Sequence, residues 1–162
     1  MVEVKIEAVR VSLMTTTQVV ILKDVNEERF LPIFIAKPEG DAITVHLREE
    51  EPSRPMSHDL ALQLIQSLEA QLVRIEINEL RNDHYFAEIV LEAKEREFVI
   101  DARVSDAIAL AVRAHCPMFV SEDIMVEVGV VRSDENDTTG TEQLGAFEDF
   151  LDSLDLDLDD KK

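Results

Sequence analysis

The chain of 162 residues is short of most features that mark secreted, membrane-spanning or base-stacking proteins. It has one cysteine, Cys116, so no intrachain disulfide can form and a reducing compartment is expected. Its start, Met1-Val2-Glu3-Val4-Lys5, lacks the basic stretch and apolar run of a secretory leader, so a cytoplasmic location is expected. The longest apolar stretch, Ala107 to Val112, is far too short for a bilayer span, and no membrane partner is expected. Four glycines and five prolines leave little material for flexible linkers. There is no tryptophan and a single tyrosine, Tyr85, so a base-stacking platform is poorly supplied. No glycine-rich phosphate loop or dinucleotide motif occurs, because Gly40 stands alone between Glu39 and Asp41; no nucleotide or haem cofactor is indicated.

Positive charge is also scarce. Sixteen Lys and Arg face 35 Asp and Glu, a net charge of −19. From Ser133 onward there are 11 acids and two lysines, which splits the balance into −10 for residues 1–132 and −9 for the rest. A field of this sign repels phosphate backbones, so any dealings with nucleic acid require a bound cation or a local basic patch.

What is present is a folded domain: 46% apolar and 31% charged residues suit one globular unit with a real core. Val2, Val4, Ile6 and Ala8 alternate, then Val9, Val11 and Leu13 take up the opposite phase, which predicts a strand carrying a bulge at Ala8-Val9. Gln18 to Lys23 and Arg29 to Ile35 read as further strands, the second placed at an edge or bulge by Pro32. A helix follows with Pro38 near its first position. A second helix is predicted behind a Ser57 N-cap, with Leu60, Ala61, Leu64, Ile65 and Leu68 on one face. Strands then recur around Val73–Ile77, Tyr85–Ala93 and Glu97–Ala102, before a largely apolar helix from Ser105 to about Ala114, stopped by Pro117. Met118–Val120 predicts a short strand and Glu122–Val130 a helix.

A shift of 65 positions sets Ile35 on Ile100, Asp41-Ala42-Ile43 on Asp106-Ala107-Ile108, and Arg48 on Arg113. The expected fold is therefore α+β, a mixed sheet with packed helices built from two related β-β-β-α halves with approximate two-fold symmetry. Residues 1–132 form the domain and residues 133–162 an acidic tail. Leu144, Phe147, Phe150, Leu151 and Leu154 in that tail predict a short amphipathic helix over about 142–154, docking on its own domain or on a neighbour.

Three clusters carry candidate chemistry: Arg54-Pro55-Met56-Ser57-His58-Asp59, Asp101-Ala102-Arg103-Val104-Ser105-Asp106, and Glu39 with Asp41. Each lies where a turn or strand meets a helix start, where side chains and free N–H groups converge. Asp101 and Asp106 offer oxygen ligands for Mg²⁺ or Mn²⁺. Histidine is the residue type that titrates near neutral pH, so His58 suits proton transfer, and Arg54 or Arg103 suits a phosphate clamp. Ordinary uses compete: Ser57 and Ser105 as N-caps, Asp41, Asp59 and Asp106 as partners of helix dipoles, Asp101 and Arg103 as an ion pair. His46, His84 and His115 show no ligand spacing, which disfavours zinc.

Taken with Arg29-Phe30-Leu31-Pro32-Ile33-Phe34-Ile35, Phe86-Ala87-Glu88 and Ala107-Ile108-Ala109-Leu110-Ala111, these clusters resemble the bifunctional nuclease family over about residues 3–130. The tail segment Phe147-Glu148-Asp149-Phe150-Leu151-Asp152 is similar to the C-terminal helix of many members. The resemblance implies cleavage of RNA and DNA. It marks Arg54, His58, Asp59, Asp101, Arg103, Ser105 and Asp106 as characteristic positions, with His58, Asp59, Asp101 and Asp106 the catalytic candidates and Arg54, Arg103 and Ser105 the substrate-binding ones. Ala36 stands where Gly is usual in the family, Gly40 where Ala is, Ser57 where Thr is, and Val104 where Pro is. The competing expectation is a non-catalytic, oligomeric binding or regulatory protein whose signature residues hold the halves together. In either case a homodimer or higher homo-oligomer is expected.

Overall fold

The computed structural model describes residues 1–11, 17–50 and 52–131. The tail with its expected helix lies outside the described residues. In chain order the elements are β1 (Val2–Val11), β2 (Thr17–Asp24), β3 (Arg29–Ala36), α1 (Lys37–Leu47), α2 (Ser57–Ser67), β4 (Gln71–Arg81), β5 (His84–Ala93), β6 (Arg96–Arg103), α3 (Val104–Ala114), β7 (Met118–Val120), α4 (Glu122–Val128) and β8 (Val130–Val131). The eight strands form one mixed sheet in the order β6-β5-β4-β7-β1-β2-β3-β8. The expected α+β class is what the chain adopts.

Two antiparallel meanders, β1–β3 and β4–β6, flank β7. This three-residue strand runs antiparallel to β1 and parallel to β4, so it alone joins the two wings of the sheet. The phase switch in β1 is a bulge at Glu7, where the register with β2 slips between Ile6 and Ala8. Pro32 pairs with Ile21 on its inner side, while β8 reaches only Arg29 and Phe30 on the outer side, so the imide sits on a locally open edge.

Each meander runs directly into a helix. Thr17 and His84 open β2 and β5, Arg29 and Arg96 open β3 and β6, and Lys37 and Val104 open α1 and α3, a constant separation of 67 positions. The sequence match at 65 puts Asp41 on Asp106; the element spacing puts Glu39 there instead, in the first turn of its helix. Helix α3 is the central one. Ala107, Ile108, Ala109, Leu110 and Ala111 are all buried against Ile33, Ile43, Ile75, Ile77 and their neighbours in a single apolar cluster.

Three expectations are corrected locally. Ser57 and Ser105 are not caps: Met56 and Arg103 hold the N-cap positions, and Ser105 is buried in the first turn of α3. The apolar face of α2 divides, with Ala61 and Ile65 packed on the core and Leu60, Leu64 and Leu68 exposed. The last helix ends at Val128, and Val130-Val131 pair with β3 because the first residues of that strand still need a partner.

Candidate functional site

The starts of α1, α2 and α3 meet beside the end of β6, and this junction collects the candidate residues. Arg103 ends β6 with extended backbone (φ −65°, ψ 144°), which turns its side chain back along the first turn of α3. Its Nε donates to Asp106 Oδ2 at 2.7 Å and an Nη to Oδ1 at 3.1 Å, a bidentate fork. The other Nη donates to Glu39 Oε1 on α1 at 3.2 Å, so one guanidinium links the first and second halves of the chain. From the second position of α2, His58 Nε2 lies 2.9 Å from Asp106 Oδ1. The cluster is thus His58–Asp106–Arg103–Glu39.

Its electrostatics follow from these contacts. Burial alone would push the Asp106 carboxyl up, but hydrogen bonds from Arg103 and His58 outweigh it and hold it below the usual carboxylate range. The Arg103 guanidinium is held charged by Asp106 and Glu39 while its side chain remains 67% exposed, open to an incoming anion. Glu39 is committed by one oxygen only; its Oε2 is buried and has no partner among the described residues. Free N–H groups at three helix starts add positive potential at the same place.

The other candidates fall elsewhere. Asp59 points inward: Oδ2 accepts the Met56 N–H at 2.7 Å, capping α2, and Oδ1 receives Nε of buried Arg113. Arg113 also donates to the carbonyls of Ala109 (2.8 Å) and Ala42 (3.0 Å). Asp101 is exposed on β6 beside Glu88, on the strand face it shares with Arg103, and has no hydrogen bond or ion pair with any described residue. Arg54 is exposed in the turn before α2 and is bonded to none of the described residues.

This arrangement does not fit a resident Mg²⁺ or Mn²⁺. Both oxygens of Asp106 already accept from cationic or ring N–H donors, and no group of three metal-ligating side chains is assembled among the described residues. A single uncommitted carboxylate oxygen, on Glu39, is too few for a hard divalent ion.

Two features escaped the sequence. Arg113 was seen only as half of a repeat match, although an arginine inside an apolar helix is buried only when paired, which was the available signal. A cavity of about 580 Å³ at the far ends of α1 and α3 brings His46 to His115, ring centroids 5.8 Å apart, with Cys116 and Glu49 in its wall. Burial and the nearby Arg113 charge hold His46 below the usual imidazole range, and burial raises the Cys116 thiol to about 11. None of the candidate residues named above lines this cavity. No helix among the described residues is long and apolar enough to cross a membrane.

Two uncharacterized proteins of Mycobacterium tuberculosis, from strains CDC 1551 / Oshkosh and ATCC 25618 / H37Rv, are each 32% identical over 160 residues, covering 96% of both chains. Residues 20–133, which hold His58, Asp106, Arg103 and Glu39, match the family described as the bifunctional nuclease domain. The chain belongs to the bifunctional nuclease domain family.

Proposed function

We propose that the protein cleaves phosphodiester bonds in single-stranded or flexible RNA or DNA in the cytoplasm, at the junction of α1, α2 and α3. The observation that carries this reading is His58 held by Asp106, with an exposed, permanently charged Arg103 on the same carboxylate. Asp106 accepts the Nε2–H of the ring and so fixes its tautomer, which leaves Nδ1 with its lone pair to take a proton from the attacking hydroxyl or water. Arg103 releases Glu39 to fork onto the phosphate and offsets the charge that develops on its oxygens. Glu39 Oε2 is then the acceptor available to a sugar hydroxyl. The family name supports a nuclease reading without assigning residues.

A second reading has its own support. Every charged group of the cluster already satisfies another, and Arg103 clasps α1 to α3, as expected of a non-catalytic oligomeric binding protein. Labelled single-stranded RNA and DNA, incubated with the full chain in Mg²⁺, Mn²⁺ or EDTA, separate the two. The nuclease reading expects cleavage that survives EDTA and falls about 10²–10⁴-fold in His58→Ala. In Asp106→Asn it should also fall, since the ring loses its anionic partner. Absence of cleavage by a folded wild-type chain under all three conditions would leave the second reading.

A further inference from the structure

The two edges of the sheet are finished differently. At one, Pro32 interrupts the outer row of donors and β8 covers Arg29 and Phe30. At the other, β6 has no described neighbour beyond β5, no proline, no lysine and no bulge in its register. Three consecutive apolar residues lie open there, Phe98 (45% exposed), Val99 (55%) and Ile100 (46%), so both faces of the strand are bare as well as its edge. Natural sheets blunt such an edge unless something pairs with it.

We infer that β6 pairs with β6 of a second copy of this chain, antiparallel, about a two-fold axis at Ile100. In an isologous antiparallel pair the axis falls on one residue, since neighbouring pairs along the ladder alternate in hydrogen bonding and are not equivalent. An axis at Val99 sets Glu97 against Asp101 of the other copy, a like-charge contact made twice. An axis at Ile100 sets Glu97 against Arg103 twice, Phe98 against Ala102 twice, and Ile100 against itself. Only this second register keeps like charges apart and stacks the apolar residues of one face, and Glu97 and Arg103 there extend the pairs they already make with Arg74 and Asp106. The remaining segment of this chain is a poorer occupant: it follows β8 at the opposite edge, seven strand spacings or about 34 Å away across the sheet. The pairing does not rest on the nuclease reading.

The test uses the full chain. Sedimentation velocity across a hundredfold range of concentration should show a dimer, and Ile100→Lys, folded by circular dichroism, should sediment as a monomer. Val126→Lys, on the exposed side of α4, should leave the dimer intact. Register is read by oxidative cross-linking in a Cys116→Ser background. Ile100→Cys lies opposite itself and should link covalently, whereas the two copies of Phe98→Cys lie four residues out of register, about 14 Å, and should not. A monomeric wild type overturns the proposal, including the case in which β6 amides are protected from exchange by the chain's own tail. A dimer that persists in Ile100→Lys also overturns it, and moves the contact to another surface such as Leu60, Leu64 and Leu68. Cross-linking through Phe98→Cys alone would overturn the register.

Discussion

Arg113 reaches three helices from one guanidinium: the Ala42 carbonyl on α1, the Asp59 carboxylate on α2 and the Ala109 carbonyl on its own helix. Removing one partner of such a pair strands a charge in the interior, so Asp59→Ala or Arg113→Met should cost roughly 3–5 kcal/mol in urea denaturation. Asp59 also predicts a pH dependence. Its carboxyl is held below the usual range by Arg113 and the Met56 N–H despite the opposing effect of burial. The associated stability is therefore complete above about pH 4, the unfolded value, and lost as pH falls through the lower folded value. The acid limb of the stability curve should flatten in Asp59→Asn. A second local prediction concerns Gly40. A Cβ there would lie 1.9 Å from Gln18 Oε1, and Gln18 is buried with its amide donating to Asp41 at 2.7 Å. Gly40→Ala should destabilise by about 1–3 kcal/mol. In a Gln18→Ala background most of that added cost should vanish, a coupling measurable by a double-mutant cycle. The close approach of the Gln18 side chain from β2 is what requires glycine at position 40.

At the scale of elements, the hairpins β4–β5 and β5–β6 turn on Asn82-Asp83 and Lys94-Glu95, with φ of 52°, 60°, 51° and 60°. Two successive left-handed residues make the turn whose twist matches a hairpin, and Asn-Gly is its best sequence. Lys94→Asn with Glu95→Gly should raise stability by about 1–2 kcal/mol, seen as a higher thermal midpoint without loss of secondary structure. Much of this level was legible beforehand. Alternation located the two meanders, the phase break announced a bulge in β1 that falls at Glu7 rather than at Ala8-Val9, and the all-round apolar pattern marked α3 as central. The failures have a common cause. Periodicity reports which residues are apolar, not which neighbour they meet, so Leu60, Leu64 and Leu68 were put in the core face of α2 though they lie outside it. The site was half legible for the same reason. His58, Arg103, Asp106 and Glu39 were readable as types near helix starts, but that they meet through Arg103 and Asp106 is set by how the three helices pack.

For the whole molecule, net charge governs encounter. A chain at −19 repels the polyanion it is proposed to cleave. Raising ionic strength from about 10 mM to 150 mM, which shortens the screening length from about 30 Å to 8 Å, should therefore raise kcat/KM. Binding driven by counterion release from a basic groove would give the opposite slope. Pairing through β6 would add a geometric effect. The two Arg103 residues would lie six residues apart along the ladder, about 20 Å, on one continuous surface. Substrates long enough to touch both should then gain affinity over short ones, and the gain should disappear in Ile100→Lys.

The middle of this sheet is among the last parts of it to be synthesised. β7 joins the wings, yet Met118–Val120 follow both meanders and three helices in the chain. During translation each wing can form its own hairpins as it leaves the ribosome, but with their shared strand still in the exit tunnel the wings meet only through their helices. The nascent chain therefore passes through a stage at which β1 and β4 each present an open inner edge. A ribosome stalled with residue 117 at the tunnel exit should leave the inner edges of β1 and β4 open to amide exchange, and release of about five more residues should close the sheet in one step.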